Sequence, residues 1–114
     1  MTHDPRDQVV PITDPSGKDS KNVPTTAGLR KYDARYKGRD VEYKSDNFSR
    51  GPRSQESLKR MQAQIEKDAL NAQKGGKPHW HFEHDPSKAP DMKPVLDALN
   101  KNKIPWSWGS AAPF

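Results

Sequence analysis

Asp33, Glu42 and Lys44 form the group in this sequence best suited to chemistry. They lie in the run Lys31-Tyr-Asp-Ala-Arg-Tyr-Lys-Gly-Arg-Asp-Val-Glu-Tyr-Lys44, which alternates in period two. That pattern marks paired strands with two unlike faces. A two-residue turn at Lys37-Gly38, with glycine supplying positive φ, sets Asp33 across from Glu42 and Arg35 across from Asp40. Tyr32, Ala34, Tyr36, Val41 and Tyr43 then share one face. Lys31, Asp33, Arg35, Asp40, Glu42 and Lys44 share the other. Directly opposed Cβ atoms lie about 4.5–5.5 Å apart, so two carboxylates there repel unless a cation separates them. A divalent ion does this through oxygen ligands, as Mg²⁺ requires. Such an ion polarises a phosphate and lowers the pKa of a bound water. Lys44 would stabilise charge developing on the phosphate, or position the water. The chemistry is metal-assisted hydrolysis, with Asp33 and Glu42 as metal ligands. The same face equally suits a solvated, charged hairpin surface kept soluble by pairs such as Arg35–Asp40.

A second group is His79-Trp-His-Phe-Glu-His84-Asp85. On a strand, His79, His81 and Glu83 share one face. Two imidazoles there would begin a zinc site, which needs His84 or Asp85 to join after a bend. His81 would otherwise serve as a phosphate contact or general acid beside Glu42. The bland alternative is a strand face lined by polar residues. A third set, Trp80, Phe82, Trp106 and Trp108, is the core of a small domain or a surface for stacking bases.

The elements that must position these residues follow from local signals. A hairpin covers about residues 29–45. Residues 54–73 read as a helix with Ser54 as N-cap and Glu56 in the first turn. Leu58, Met61, Ile65, Ala69 and Ala72 form its apolar stripe. Gln62 and Asp68 flank that stripe, near the edge of the Glu42 site or simply on an ordinary helix flank. Gly75-Gly76 ends the helix. Residues 79–84 read as a strand. Met92, Val95, Leu96 and Leu99 define a second helix, with Pro94 tolerable only in its first turn. Ile104-Pro-Trp-Ser-Trp108 is a last extended piece. The order is β-β-α-β-α-β, an α/β fold with a small mixed sheet flanked by two helices.

The chain has 114 residues, 30% hydrophobic and 31% charged, with 11 prolines and no cysteine. One domain with a small core is expected, without disulfides or thiolate metal sites. No apolar run approaches the roughly 20 residues of a membrane span, and no signal peptide opens the chain. Residues 1–27 hold five of the proline and glycine residues and few apolar ones, and are expected to be a flexible leader or linker. That segment carries three basic and four acidic residues, against 17 and 11 in residues 28–114. The basic character therefore belongs to the folded domain at 28–114, which suits a polyanion such as nucleic acid.

Asp33, then Glu42-Tyr43-Lys44 on the following strand, then an amphipathic helix with a glutamine, resemble the PD-(D/E)xK restriction-endonuclease-like nucleases. Residues 28–109 are similar to the nuclease toxin domains at the C-termini of bacterial polymorphic toxins. Tyr32-Asp33-Ala-Arg-Tyr, Val41-Glu42-Tyr-Lys44-Ser, His79-Trp-His-Phe and Ile104-Pro-Trp-Ser-Trp-Gly109 carry the likeness. The resemblance implies a restriction-endonuclease-like fold. It implies Asp33 and Glu42 as ligands of Mg²⁺ or Mn²⁺ and Lys44 as the catalytic lysine, beside which the strand and helix reading sets His81 and Gln62 in support. Tyr32 stands where the family has proline, and Asp40 is an alternative to Asp33. The implied activity is cleavage of DNA by a toxin delivered, as part of a larger protein, into the cytoplasm of a target cell. A cognate acidic immunity protein would be its partner. An RNase, tRNA-cleaving and either metal-dependent or histidine-based, is the alternative enzyme. A basic nucleic-acid-binding module without catalysis is the alternative of another class.

Overall fold

A computed structural model describes residues 21–36, 38–47 and 51–109. Residues 1–20 of the expected leader and Lys37 of the turn lie outside the described residues. Within the leader as drawn from sequence, Lys21–Thr25 is a strand, β1, paired antiparallel with β2, Gly28–Tyr32. The domain as described therefore begins before residue 28. The other strands are β3 (Ala34–Tyr36), β4 (Arg39–Lys44), β5 (Pro78–Phe82) and β6 (Trp106–Trp108). Helices α1 (Gln55–Gln73) and α2 (Lys93–Lys101) connect the last three, with two short 3₁₀ turns before α2.

The fold is small, mixed α/β, with two sheets rather than one. β1 and β2 form a two-stranded sheet, and β3-β4-β5-β6 form a four-stranded one. The expected first hairpin strand is broken at Asp33, and its side chain explains why. Asp33 N–H donates to Val41 O at 3.0 Å, one residue out of the register in which Ala34 faces Val41, as at a bulge. The next ladder donor, Tyr43 N–H, goes to Asp33 Oδ2 at 2.8 Å. A carboxylate that takes over a strand's backbone donor ends the ladder at that point. β2 is then free to leave, pair with β1 and pack against α1. Beyond the break the expected register holds. Arg35 lies across from Asp40, Tyr36 across from Arg39, and Gly38 has φ 80°.

β4 pairs β5 in parallel, and β5 pairs β6 in parallel, each step made through a helix. Two steps in one direction with the usual right-handed crossover place both helices on one face. Met61 and Ile65 of α1 accordingly share one core with Val95, Leu96 and Leu99 of α2, around Trp80 and Phe82. Each fully buried large apolar side chain contributes about 1.5–3 kcal/mol. Trp80 and Phe82 are thus core residues; Trp106 packs against them, and Trp108 is largely exposed.

Ser54 caps α1 by accepting from Ser57 N–H at 3.0 Å, and Gly75 at φ 92° follows its end. The apolar stripe does not run the full length. Met61 and Ile65 are buried, but the C-terminal half buries Asp68 and Asn71, leaving Ala72 exposed. That half of the helix faces polar groups of β2 and β4, so a polar stripe is what fits there. Asp40 and Glu42 are buried against it, and the solvated-surface reading of the hairpin face does not hold for β4. Among the described residues no helix is long and apolar enough to cross a membrane.

Candidate active site

Glu42 sits in the middle of β4 on the face that α1 covers, and is 6% exposed. Three side chains converge on its carboxylate. Lys44, at the C-terminal end of the strand, places Nζ 3.3 Å from Oε2. Arg30 of β2 places Nη2 3.0 Å from Oε1. Asp33 contributes a second carboxyl in hydrogen-bonding contact, although it lies just outside the paired part of the β3–β4 hairpin. Burial pushes Glu42 up to about 7; Asp33 adds to the rise, while Lys44 and Arg30 oppose it.

The cluster is graded from water to core. Asp33 is exposed, Lys44 is partly buried, and Arg30 is 2% exposed. Lys44 Nζ also donates to Gln64 Oε1 of α1 at 3.1 Å and stands 5.2 Å from the centre of the Trp80 ring. Arg30 Nε donates to Asp68 Oδ1 at 2.8 Å, and its guanidinium lies 4.3 Å from the Tyr32 ring centre. Asp68 further accepts from Trp80 Nε1 at 2.6 Å and from the Tyr32 hydroxyl. Asp68 is therefore a buried acceptor at the centre of the fold, one step behind Glu42.

Two residues expected at the site lie elsewhere. Gln62 is about 200° around α1 from Gln64. It lines a groove with Leu58, Asp91, Pro94 and Val95, on the flank turned toward α2. Gln64 is the glutamine that reaches Lys44. His81 is on the other face of the sheet, because β5 pairs it with Tyr43 and side chains alternate along β4. Its ring meets Tyr43 edge-on at 5.8 Å. Asp40 shares the face of Glu42 but accepts from Asn71 Nδ2 at 2.9 Å, toward the far end of the strand.

His79 and His81 form a relay with Ser107. His81 Nε2 lies 3.0 Å from Gly109 O, which can only accept, so this nitrogen carries the proton. His81 Nδ1 then accepts from the Ser107 hydroxyl at 2.7 Å, and Ser107 Oγ accepts from His79 Nε2–H at 2.8 Å. Burial pushes His79 down to about 4, helped by His81 and Arg39, and lowers His81 too. Both rings are neutral at pH 7.

Among the described residues no group of three or more His, Cys, Asp and Glu side chains is gathered to hold a metal. Asp33 and Glu42 are a pair. Mg²⁺ is commonly held by one or two carboxylates plus water and substrate phosphate, so the paired carboxyl oxygens of Asp33 and Glu42 fit such an ion. Burial is the main cause of the raised Glu42 carboxyl, Asp33 adds to it, and Arg30 and Lys44 each face one of its oxygens. Arg30 was missed from sequence. Its role depends on the break at Asp33, which turns β2 toward α1, and no local pattern announces it.

No family model, curated protein or solved structure matches this chain.

Proposed function

We propose that this chain is a metal-dependent nuclease of the restriction-endonuclease-like kind, cleaving phosphodiester bonds of DNA. The observation that carries the reading is the contact of Lys44 with Glu42 and of Glu42 with Asp33. It lies toward the C-terminal end of a parallel-sheet strand, where open α/β sheets place their ligands. Asp33 and Glu42 would hold Mg²⁺ or Mn²⁺. The ion, when bound, supplies a polarised phosphate and an acidified water. Lys44 sets a compact positive charge where the scissile phosphate gains negative charge, and Gln64 holds that ammonium in place. Arg30 fixes the orientation of Glu42 from behind.

Plasmid DNA and total RNA, incubated with Mg²⁺, Mn²⁺ or EDTA, test the reading. DNA cleavage that EDTA abolishes is expected. RNA cleavage that persists in EDTA would replace it with a metal-independent ribonuclease. Gln64→Ala should slow cleavage about tenfold, as loss of an orienting partner does. Gln62→Ala should leave it unchanged, and the reverse order would move the site to the other helix flank.

The proposal extends to a bacterial antagonistic toxin, delivered into a target cytoplasm and neutralised by an acidic immunity protein. The basic balance of residues 28–114 favours such a partner, because complementary charge speeds association. Growth arrest by the cytoplasmic chain, relieved by the product of the adjacent gene, is the expected result.

A further inference from the structure

The N-terminal ends of the parallel strands carry a second group of charges, at the edge of the sheet opposite Lys44. Arg39 opens β4, Lys77 precedes β5, and Lys103 lies in the turn before β6. With His79 and Gly76 they line a cavity of about 320 Å³. No acidic side chain lines it among the described residues. The C-terminal ends of α1 and α2 lead to this edge, each bringing about half a negative charge.

Lys103 adds an independent sign. It has φ 57° and is the only non-glycine residue with positive φ among the described residues. It follows α2 in a glycine-type C-terminal turn, in which Ile104 N–H donates to Leu99 O at 2.9 Å. A side chain there carries a steric cost that glycine avoids. Strain held at the wall of a basic cavity points to a use for the ammonium group.

We propose that this cavity is a phosphate-binding pocket that takes a backbone phosphate of the nucleic-acid strand, away from the phosphate that is cut. The assignment rests on the nuclease reading above and deepens it by giving the substrate a second anchor. Arg39 and Lys44 are five residues apart on β4, about 16 Å along the strand at about 3.3 Å per residue and, because side chains alternate, on opposite faces, so the nucleic acid would pass around the β3 edge of the sheet and span several nucleotides between them. Arg35, exposed on the β3–β4 hairpin, is a cation on the way. Contacts of this kind give affinity and register without sequence information.

The test is binding of a short labelled duplex and single strand to the full chain in EDTA, read by fluorescence anisotropy across a salt series. The triple variant Arg39→Gln/Lys77→Gln/Lys103→Gln should lose at least about tenfold in affinity, and its salt slope should fall by about one. The control Lys59→Gln/Lys88→Gln/Lys101→Gln removes the same charge from exposed positions and should bind nearly as the wild type does. Lys103→Gly alone should raise Tm while weakening binding. A lysine with only a structural role would give the rise in Tm without the loss.

Equal losses in the two triples, or none in the cavity variant, would overturn the pocket. So would a wild-type chain that binds no polynucleotide. Inorganic phosphate that shifts the NMR signals of Lys77 and Lys103 but does not compete with the oligonucleotide would assign the cavity to a small phosphate compound instead. Failure of the nuclease reading shows differently, as intact binding with no turnover in any metal.

Discussion

Glu42→Gln is expected to lower cleavage by at least about 100-fold, because the metal loses a charged ligand, while making the metal-free fold more stable. The two effects have one cause. The ordinary carboxyl value of 4.5 rises to about 7 at Glu42, first through burial and then through Asp33. The folded chain therefore holds this proton more tightly than the unfolded chain. Its contribution to stability is fully present below about pH 4.5 and is lost as pH rises through 7. A shift of that size corresponds to about 3 kcal/mol at pH 8. Glutamine keeps an acceptor for Arg30 and never ionises, so it removes this cost. Denaturant titrations at pH 5 and pH 8 should show the wild type losing stability between the two, with the variant nearly flat. Mg²⁺ should raise the Tm of the wild type and not that of the variant. Lys44→Ala should match the loss of cleavage without the gain in stability at pH 8. A Glu42→Gln protein that cleaves at wild-type rate with metal present would remove Glu42 from the site.

What the sequence made legible was local. The Arg35–Asp40 register, the turn at Gly38, the Ser54 cap and the apolar positions of α2 each follow from neighbours a few residues apart, and all appear in the structure. What stayed hidden depends on contacts far along the chain. Nothing local tells that Tyr43 N–H will choose the Asp33 carboxylate over a backbone oxygen, yet that choice divides one expected strand between two sheets. β1 contains Pro24, which reads as a breaker, but it lies in a two-stranded sheet where an unpaired backbone position is tolerated. Gln62 and Gln64 flank the Met61–Ile65 stripe from opposite sides. Only the way α1 crosses the sheet decides which flank meets Lys44. The Arg30–Asp68 contact joins residues 38 apart, beyond the reach of any periodicity.

That hidden contact carries the second large effect. Asp68→Ala should destabilise the fold by about 3–5 kcal/mol, the cost of breaking a buried ion pair together with the loss of an acceptor by two buried neutral donors. Asp68 is fully buried, and it accepts from Arg30, Tyr32 and Trp80, one group from the two-stranded sheet's inner face, its neighbour, and the central strand of the core. Without it, the guanidinium of Arg30 keeps only Glu42 and the Lys31 carbonyl, while the Tyr32 hydroxyl and the Trp80 indole N–H lose an acceptor. Domains of this size hold only about 5–15 kcal/mol in total, so the variant should melt at least about 12 °C lower. Tyr32→Phe removes a neutral donor rather than a charge and should cost far less, about 1 kcal/mol. Double substitution of Arg30→Met with Asp68→Leu removes both charges together and should recover much of what Asp68→Ala loses, because no buried ion is then left unpaired. The double variant should nonetheless cleave poorly, since Glu42 has lost the cation that orients it. If Asp68→Ala melts within a few degrees of the wild type, the Arg30–Asp68 pair is not what fastens the two-stranded sheet to α1. If the double variant is stable and fully active, Arg30 has no part in positioning Glu42.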